Sequence, residues 1–224
     1  MLKKYMAVGA LATLALVWVV SAQSPAQKAI GDAMKAMGVS DVKTLTIMGE
    51  GGDGTVGQSL DPHSDKWRWY ADKEVTRGYD FDAKAYRTKQ IHGEGNMPPG
   101  GGAGTTTPAP DTPQDQITPA TNFNAQINMA MTPIGFLKMA QTNNATAANV
   151  TLKGKKWTVL SYPMTGGTGP ATFPTKVNGY IDDKNMLQKV DVMINDNFIG
   201  DIKWEAAFTG WKDFGGVKFP AHIV

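Results

Sequence analysis

The order of apolar and polar positions divides the chain into a helix, a set of strands, a stretch poor in apolar residues, a second helix and a second set of strands. Ser24 stands before Pro25, and Ala29, Ile30, Ala33, Met34 and Met37 then recur at helical spacing until Gly38. A hydroxyl placed to accept from the first free N–H groups, a proline at the first helical position and a glycine at the end together predict one amphipathic helix. From Val42 the period changes to two. Residues 42–48, 67–70, 76–81 and 85–88 alternate large apolar with polar side chains and are separated by Gly, Asp and Pro, the pattern of successive half-buried antiparallel strands.

A second helix is predicted from Thr132, with Pro133 at its first position and Ile134, Leu137, Lys138 and Ala140 leading to Asn143 and Asn144. Strands at 149–152 and 156–162 then flank Lys153-Gly154-Lys155 as a hairpin, and strands at 176–181 and 187–194 flank Asp182-Asp183-Lys184-Asn185. Two more, at 201–208 and 217–224, are joined through 211–216. The expected fold is α+β: a large curved antiparallel sheet with two or three helices on one face, after a signal peptide.

Residues 93–119 interrupt this plan with Pro98-Pro99-Gly100-Gly101-Gly102-Ala103-Gly104 and a Thr/Pro run. Such a composition cannot pack a core, and it lacks the Lys, Ser/Thr and flanking elements of a phosphate-binding loop. It reads as a flexible insertion, with a mobile flap over a binding face as the alternative. The domain is therefore expected at 23–224 with an insertion near 93–119. Because the pattern ends within a strand at Ile223-Val224, the natural polypeptide is expected to continue.

At the other end, Lys3 and Lys4 precede an apolar run from Ala7 to Val20, and Val20-Ser21-Ala22 supplies small residues before Gln23. This is the form of a cleaved secretory signal peptide over 1–22; the run is shorter than the ~20 residues a membrane-spanning helix needs. The expected location is secreted or periplasmic, with no integral span after processing. Removing Lys3 and Lys4 leaves Lys plus Arg equal to Asp plus Glu, at 20 each. A charge-balanced surface without basic clusters argues against nucleic acid as a partner, and with no cysteine the fold relies on its own core.

Candidate chemistry is sparse. His63, His92 and His222 are far apart, and no pair has metal-ligand spacing. No serine lies in a Gly-x-Ser-x-Gly elbow. Asp80 with Asp82, Asp182 with Asp183 and Asp191 with Asp196 read as turn and edge punctuation ahead of a cation or acid–base pair. No catalytic residue, metal ligand or cofactor is assigned. The aromatic residues are more informative: Trp67, Trp69, Tyr79, Phe81 and Trp204, with Trp157, Phe208 and Trp211, are spaced to share a sheet face. They form either a sheet–helix core or a concave apolar groove for a lipid or other apolar ligand.

The stretch from Val177 to Val190 through Asp182-Asp183-Lys184-Asn185, then Asn195, Gly200-Asp201 and Trp211-Lys212-Asp213-Phe214-Gly215-Gly216-Val217-Lys218-Phe219-Pro220, resembles the N-terminal region of secreted bacterial metallo-β-lactamase-fold hydrolases. The helix from Thr132 to Ala140 with Asn143-Asn144-Ala145-Thr146 is similar to the same region. More loosely, the strand alternation resembles the curved half-barrel of periplasmic lipoprotein carriers. The hydrolase resemblance implies a non-catalytic accessory domain whose partner is a zinc-dependent catalytic domain of the same polypeptide. That family's His-x-His-x-Asp-His motif is absent from this chain, so no catalytic residue carries over. The alternative is a stand-alone periplasmic binding protein for a lipid or other apolar ligand.

Overall fold

The computed structural model describes residues 23–55, 68–96, 111–119, 121–166, 173–196 and 200–224. The expected signal peptide, Trp67, His63 and the glycine-rich part of the expected insertion lie outside the described residues.

Helix α1 (Pro25–Met37) begins as expected, in a capping box in which Ser24 accepts from the Gln27 N–H and the Gln27 side chain accepts from the Ser24 N–H. It ends at Gly38, whose left-handed φ of 70° lets Gly38 and Val39 donate back to the carbonyls of Lys35 and Met34. A side chain at Gly38 would also overlap the Gly216 carbonyl, so the end of α1 lies tight against a later turn.

Strands β1 (Thr44–Thr55), β2 (Arg68–Asp80), β3 (Ala85–Asn96) and β4 (Pro113–Thr118) form a four-stranded antiparallel sheet in sequential order. Helices α2 (Phe123–Ala130) and α3 (Pro133–Thr142) lead into a six-stranded sheet of β5 (Thr146–Leu152), β6 (Lys155–Gly166), β7 (Phe173–Ile181), β8 (Leu187–Asp196), β9 (Gly200–Phe214) and β10 (Val217–Ile223), again paired in sequence. The α+β class, the antiparallel pairing and the helices are as expected; the strands divide between two sheets. The β5–β6 turn is a two-residue hairpin in which Lys153 and Gly154 take φ of 50° and 77°, the left-handed values that match strand twist.

The insertion is narrower than 93–119. β3 continues to Asn96, and β4 pairs with β3 over Pro113–Thr118. Pro113 starts an edge strand, where its missing N–H leaves no ladder bond unmade.

The core lies between α1, α3 and the six-stranded sheet. Ile30, Met34, Ile134, Phe136 and Leu137 are buried against Leu160, Tyr162, Val177, Val190 and Val192. Each such side chain contributes about 1.5–3 kcal/mol relative to exposure. The face of this sheet is filled by helices, so the space for a ligand lies elsewhere.

Candidate functional site

The inner face of the four-stranded sheet is built from cross-strand rows. Leu45, Tyr79, Tyr86 and Thr118 are paired in one row; Ile47, Arg77, Thr88 and Gln116 in the next; Gly49, Val75, Gln90 and Gln114 in the third. Only the first row is aromatic, with Tyr79 stacked 6.0 Å from Tyr86 and 6.2 Å from Phe81. The following rows turn to guanidinium, hydroxyl and amide groups.

Against these rows lies a half-open hollow of about 310 Å³. Ile47, Val75, Met131, Phe219 and Ile223 supply its apolar walls, and Arg77, Asn128 and Thr132 its polar ones. A second hollow of about 170 Å³ continues across β3 and β4, lined by Thr88, Gln90, Gln114 and Gln116, and shares Arg77 and Asn128 with the first. Arg77 thus stands at the junction of one trough running beneath α2. Asn128 is held there by donating to the Tyr86 hydroxyl at 3.2 Å.

Among the described residues no carboxylate lies within ion-pairing distance of Arg77. Its guanidinium acts on the Tyr79 hydroxyl, whose pKa burial raises and the Arg77 charge draws back. At the other end of the trough, Asp72 is buried at 3% exposure with its Oδ1 2.6 Å from His92 Nδ1. The second ring nitrogen of His92 is 2.9 Å from Gln90 Nε2. Arg77 faces Ile47 and Asp72 faces Gly51, so their backbone positions lie roughly 13 Å apart along the strand at the usual rise.

A second polar cluster covers the outer face of the six-stranded sheet. Ser161 donates to Asn178 at 2.7 Å, and Asn178 and Tyr180 each donate to Asp191 at 2.9 Å. Lys189 and Lys203 bridge Asp191 and Glu205. The groups satisfy one another within the cluster, so it reads as a sheet-stabilising ladder.

The expected aromatic face is distributed differently. Tyr79 lines the hollow and Phe81 is core. Trp204 belongs to the other sheet, paired with Val192 and 37% exposed. Trp69 is a β2 position paired with Gly54 and Asn96, and its side chain, like all of Trp67, lies outside the described residues. Trp157 is three residues from the core residue Leu160 on a regular strand, hence on the opposite face, where it meets Tyr180 edge-on at 6.2 Å. The described aromatics are split because period-two spacing fixes a face within one strand, while the division into two sheets is set by the chain between them.

Asp80 and Asp182 act as turn punctuation, but Asp191 does not: it is buried in the middle of β8 and accepts from Asn178 and Tyr180. Asp80 accepts from the N–H groups of Asp82 and Ala83, and Asp182 from those of Lys184 and Met186. Among the described residues no group of three or more His, Asp and Glu is placed to hold a metal. Arg77, Asn128 and the glutamines were not singled out from the sequence. The signal for Arg77 was present in its parity with Val75 and Tyr79, which places all three on one face.

The described residues thus define an antiparallel α+β domain with a mixed polar and apolar trough. Compared with known proteins, the chain matches no protein family, no curated relative and no solved structure.

Proposed function

We propose that this protein is a secreted or periplasmic, non-catalytic binding module that holds a small amphipathic, lipid-like molecule in the hollow between β1, β2, α2 and β10. The observation that carries this reading is the hollow of about 310 Å³ with Ile47, Val75, Met131 and Phe219 on its walls and Arg77 and Asn128 at its inner end. That volume is near the lower limit of small-molecule sites, about 300–1,000 Å³, and suits a medium-length aliphatic chain. In this reading the ligand lies on the four-stranded sheet, where Tyr79 of the expected aromatic face lines the hollow.

Isothermal titration of delipidated protein with decanol tests the reading. Saturable binding that Val75→Trp abolishes, in a variant with unchanged circular dichroism, supports it; a wild type that binds neither decanol nor its carboxylic acid analogue decanoate defeats it. Export is checked separately by N-terminal sequencing of extracellular or periplasmic protein, expected to begin at Gln23.

A second reading, the accessory domain of a metallo-β-lactamase-fold hydrolase, is favoured by the exposure of Trp204, Phe214 and Ile223, at 37%, 60% and 41%, on adjacent strands β9 and β10. These apolar side chains are suited to packing against a further domain. Reading the native gene onward from the Val224 codon tests it: a frame encoding His-x-His-x-Asp-His supports the hydrolase, and an immediate stop codon overturns it.

A further inference from the structure

We infer that the ligand of this hollow carries a carboxylate, and that Arg77 seats it, so that the class bound is aliphatic carboxylic acids. The inference rests on the proposed binding function and adds the chemistry of the head group.

Three observations carry it. First, Arg77 lies at the inner junction of the two hollows. It has no carboxylate partner among the described residues, whereas Arg87 on the outer face of the same sheet is paired with Asp115. A guanidinium offers five donors in a fixed fork that matches a carboxylate, and in a half-enclosed site an incoming carboxylate is the group that satisfies them best. Second, the surroundings of Arg77 are neutral hydrogen-bonding groups, Asn128, Thr88 and Gln116, which can bind a head group without competing for its charge. Third, the charge is polarised along the trough. Asp72 and Glu50 line the opposite end; Asp72 is buried against His92. They repel a carboxylate placed there and so fix the ligand's direction, with the acid at Arg77 and the aliphatic chain along Ile47, Val75 and Phe219.

The alternative occupants are less well matched. A neutral alcohol or ester leaves the guanidinium without a counter-charge, and a cationic head group is repelled by it.

Isothermal titration with decanoate beside decanol, on wild type and Arg77→Gln, tests the head group. Decanoate should bind wild type at least about tenfold more tightly than decanol, as expected for a charged hydrogen-bonded pair, and added salt should reduce that advantage. Arg77→Gln should abolish the preference for decanoate over decanol, with an unchanged circular dichroism spectrum as the check that the variant folds. Arg77→Lys should retain part of the preference, since its charge remains but its fork is lost. Equal binding of acid and alcohol by wild type, or an acid preference that survives Arg77→Gln, would overturn the carboxylate inference and leave the binding function standing. Failure of both ligands to bind wild type would overturn the function and the inference with it.

Discussion

Phe136 of α3 lays its ring directly over Gly179 of β7, in the place a Cβ would otherwise occupy. The contact fixes how closely the helix sits on the six-stranded sheet, because Phe136 is fully buried and also packs 5.4 Å from Tyr162. Gly179→Ala would force the ring and Leu187 aside. In a close-packed interior such an insertion costs about 1–3 kcal/mol. Urea denaturation should show a lower midpoint for Gly179→Ala, and Phe136→Leu in the same chain should recover part of the loss by making room. A Gly179→Ala protein as stable as wild type would show that the helix can lift freely from the sheet.

Much of the architecture is written in local signals. Ser24-Pro25 and Thr132-Pro133 mark helix starts because a capping oxygen and a proline act on their own neighbours. Lys153-Gly154 marks a hairpin for the same reason. By contrast, α2 was not foreseen: Ala125, Ile127 and Met129, all buried, are spaced by two and imitate a strand. The segment becomes a helix through packing against α3 and β3, a tertiary choice that overrides local preference. β4 was hidden in a Pro/Thr-rich stretch because an edge strand needs one buried residue, here Thr118, and a partner ladder. The trough was hidden for a similar reason. The sequence shows that Arg77 shares a face with Tyr79, but only the pairing of four strands brings Thr88, Gln90, Gln114 and Gln116 beside it.

Asp72 and His92 should be coupled energetically. Both are nearly inaccessible and their side chains are 2.6 Å apart across β2 and β3. Removing one partner takes from the other a contact that water cannot readily replace at a buried site, at a cost of about 1–3 kcal/mol. Asp72→Asn and His92→Gln should each lower stability by that order, and the double variant should cost less than the two summed. Additive losses in the four-way cycle would show that each residue is held by other neighbours.

Tyr180 sets an alkaline dependence. Burial, then the hydrogen bond to Asp191 and the charges of Asp191 and Glu205, push its hydroxyl up to about 12 from an ordinary 10.0. The folded state therefore holds this proton more tightly than the unfolded chain. Its contribution to stability is complete below pH 10 and is lost as pH rises to about 12. The stability difference between wild type and Tyr180→Phe should shrink across that window, measured by denaturation at fixed ionic strength. A constant difference would place the Tyr180 hydroxyl in water instead of against Asp191.

The ion pairs around Glu205 should matter little. Lys203 and Glu205 are 2.5 Å apart, yet their side chains are 49% and 40% exposed. The hydrogen bond from Lys203 holds the Glu205 carboxyl below its usual range, so the pair's contribution is present at neutral pH and declines as pH falls through the acid range. Solvent-exposed pairs contribute about 0–1 kcal/mol, less at high salt. Glu205→Gln should change the neutral-pH midpoint only slightly. A large loss would mean that Glu205 is needed to hold Lys189 and Lys203 over the buried Asp191.

Thr132 joins helix formation to the shape of the trough. Its hydroxyl oxygen accepts from the Gly135 N–H at 3.1 Å while its proton is donated to the Met129 carbonyl at 2.8 Å. One side chain therefore caps α3 and closes the end of α2, and Thr132 is itself a wall of the hollow. Because the site is buried, Thr132→Ala leaves a donor and an acceptor without this partner, at a cost of about 0.5–2 kcal/mol for the cap. Thr132→Ser keeps both hydrogen bonds and should recover most of the stability. If α2 owes its position to this hydroxyl, Thr132→Ala should also weaken decanol binding, because Asn128 of α2 and Met131 of the α2–α3 joint line the same hollow. Hydrogen exchange over residues 123–131 separates the two effects: faster exchange in Thr132→Ala, restored in Thr132→Ser, is expected. Unchanged exchange would show that the packing of Ile127 and Met129 alone holds α2 in place.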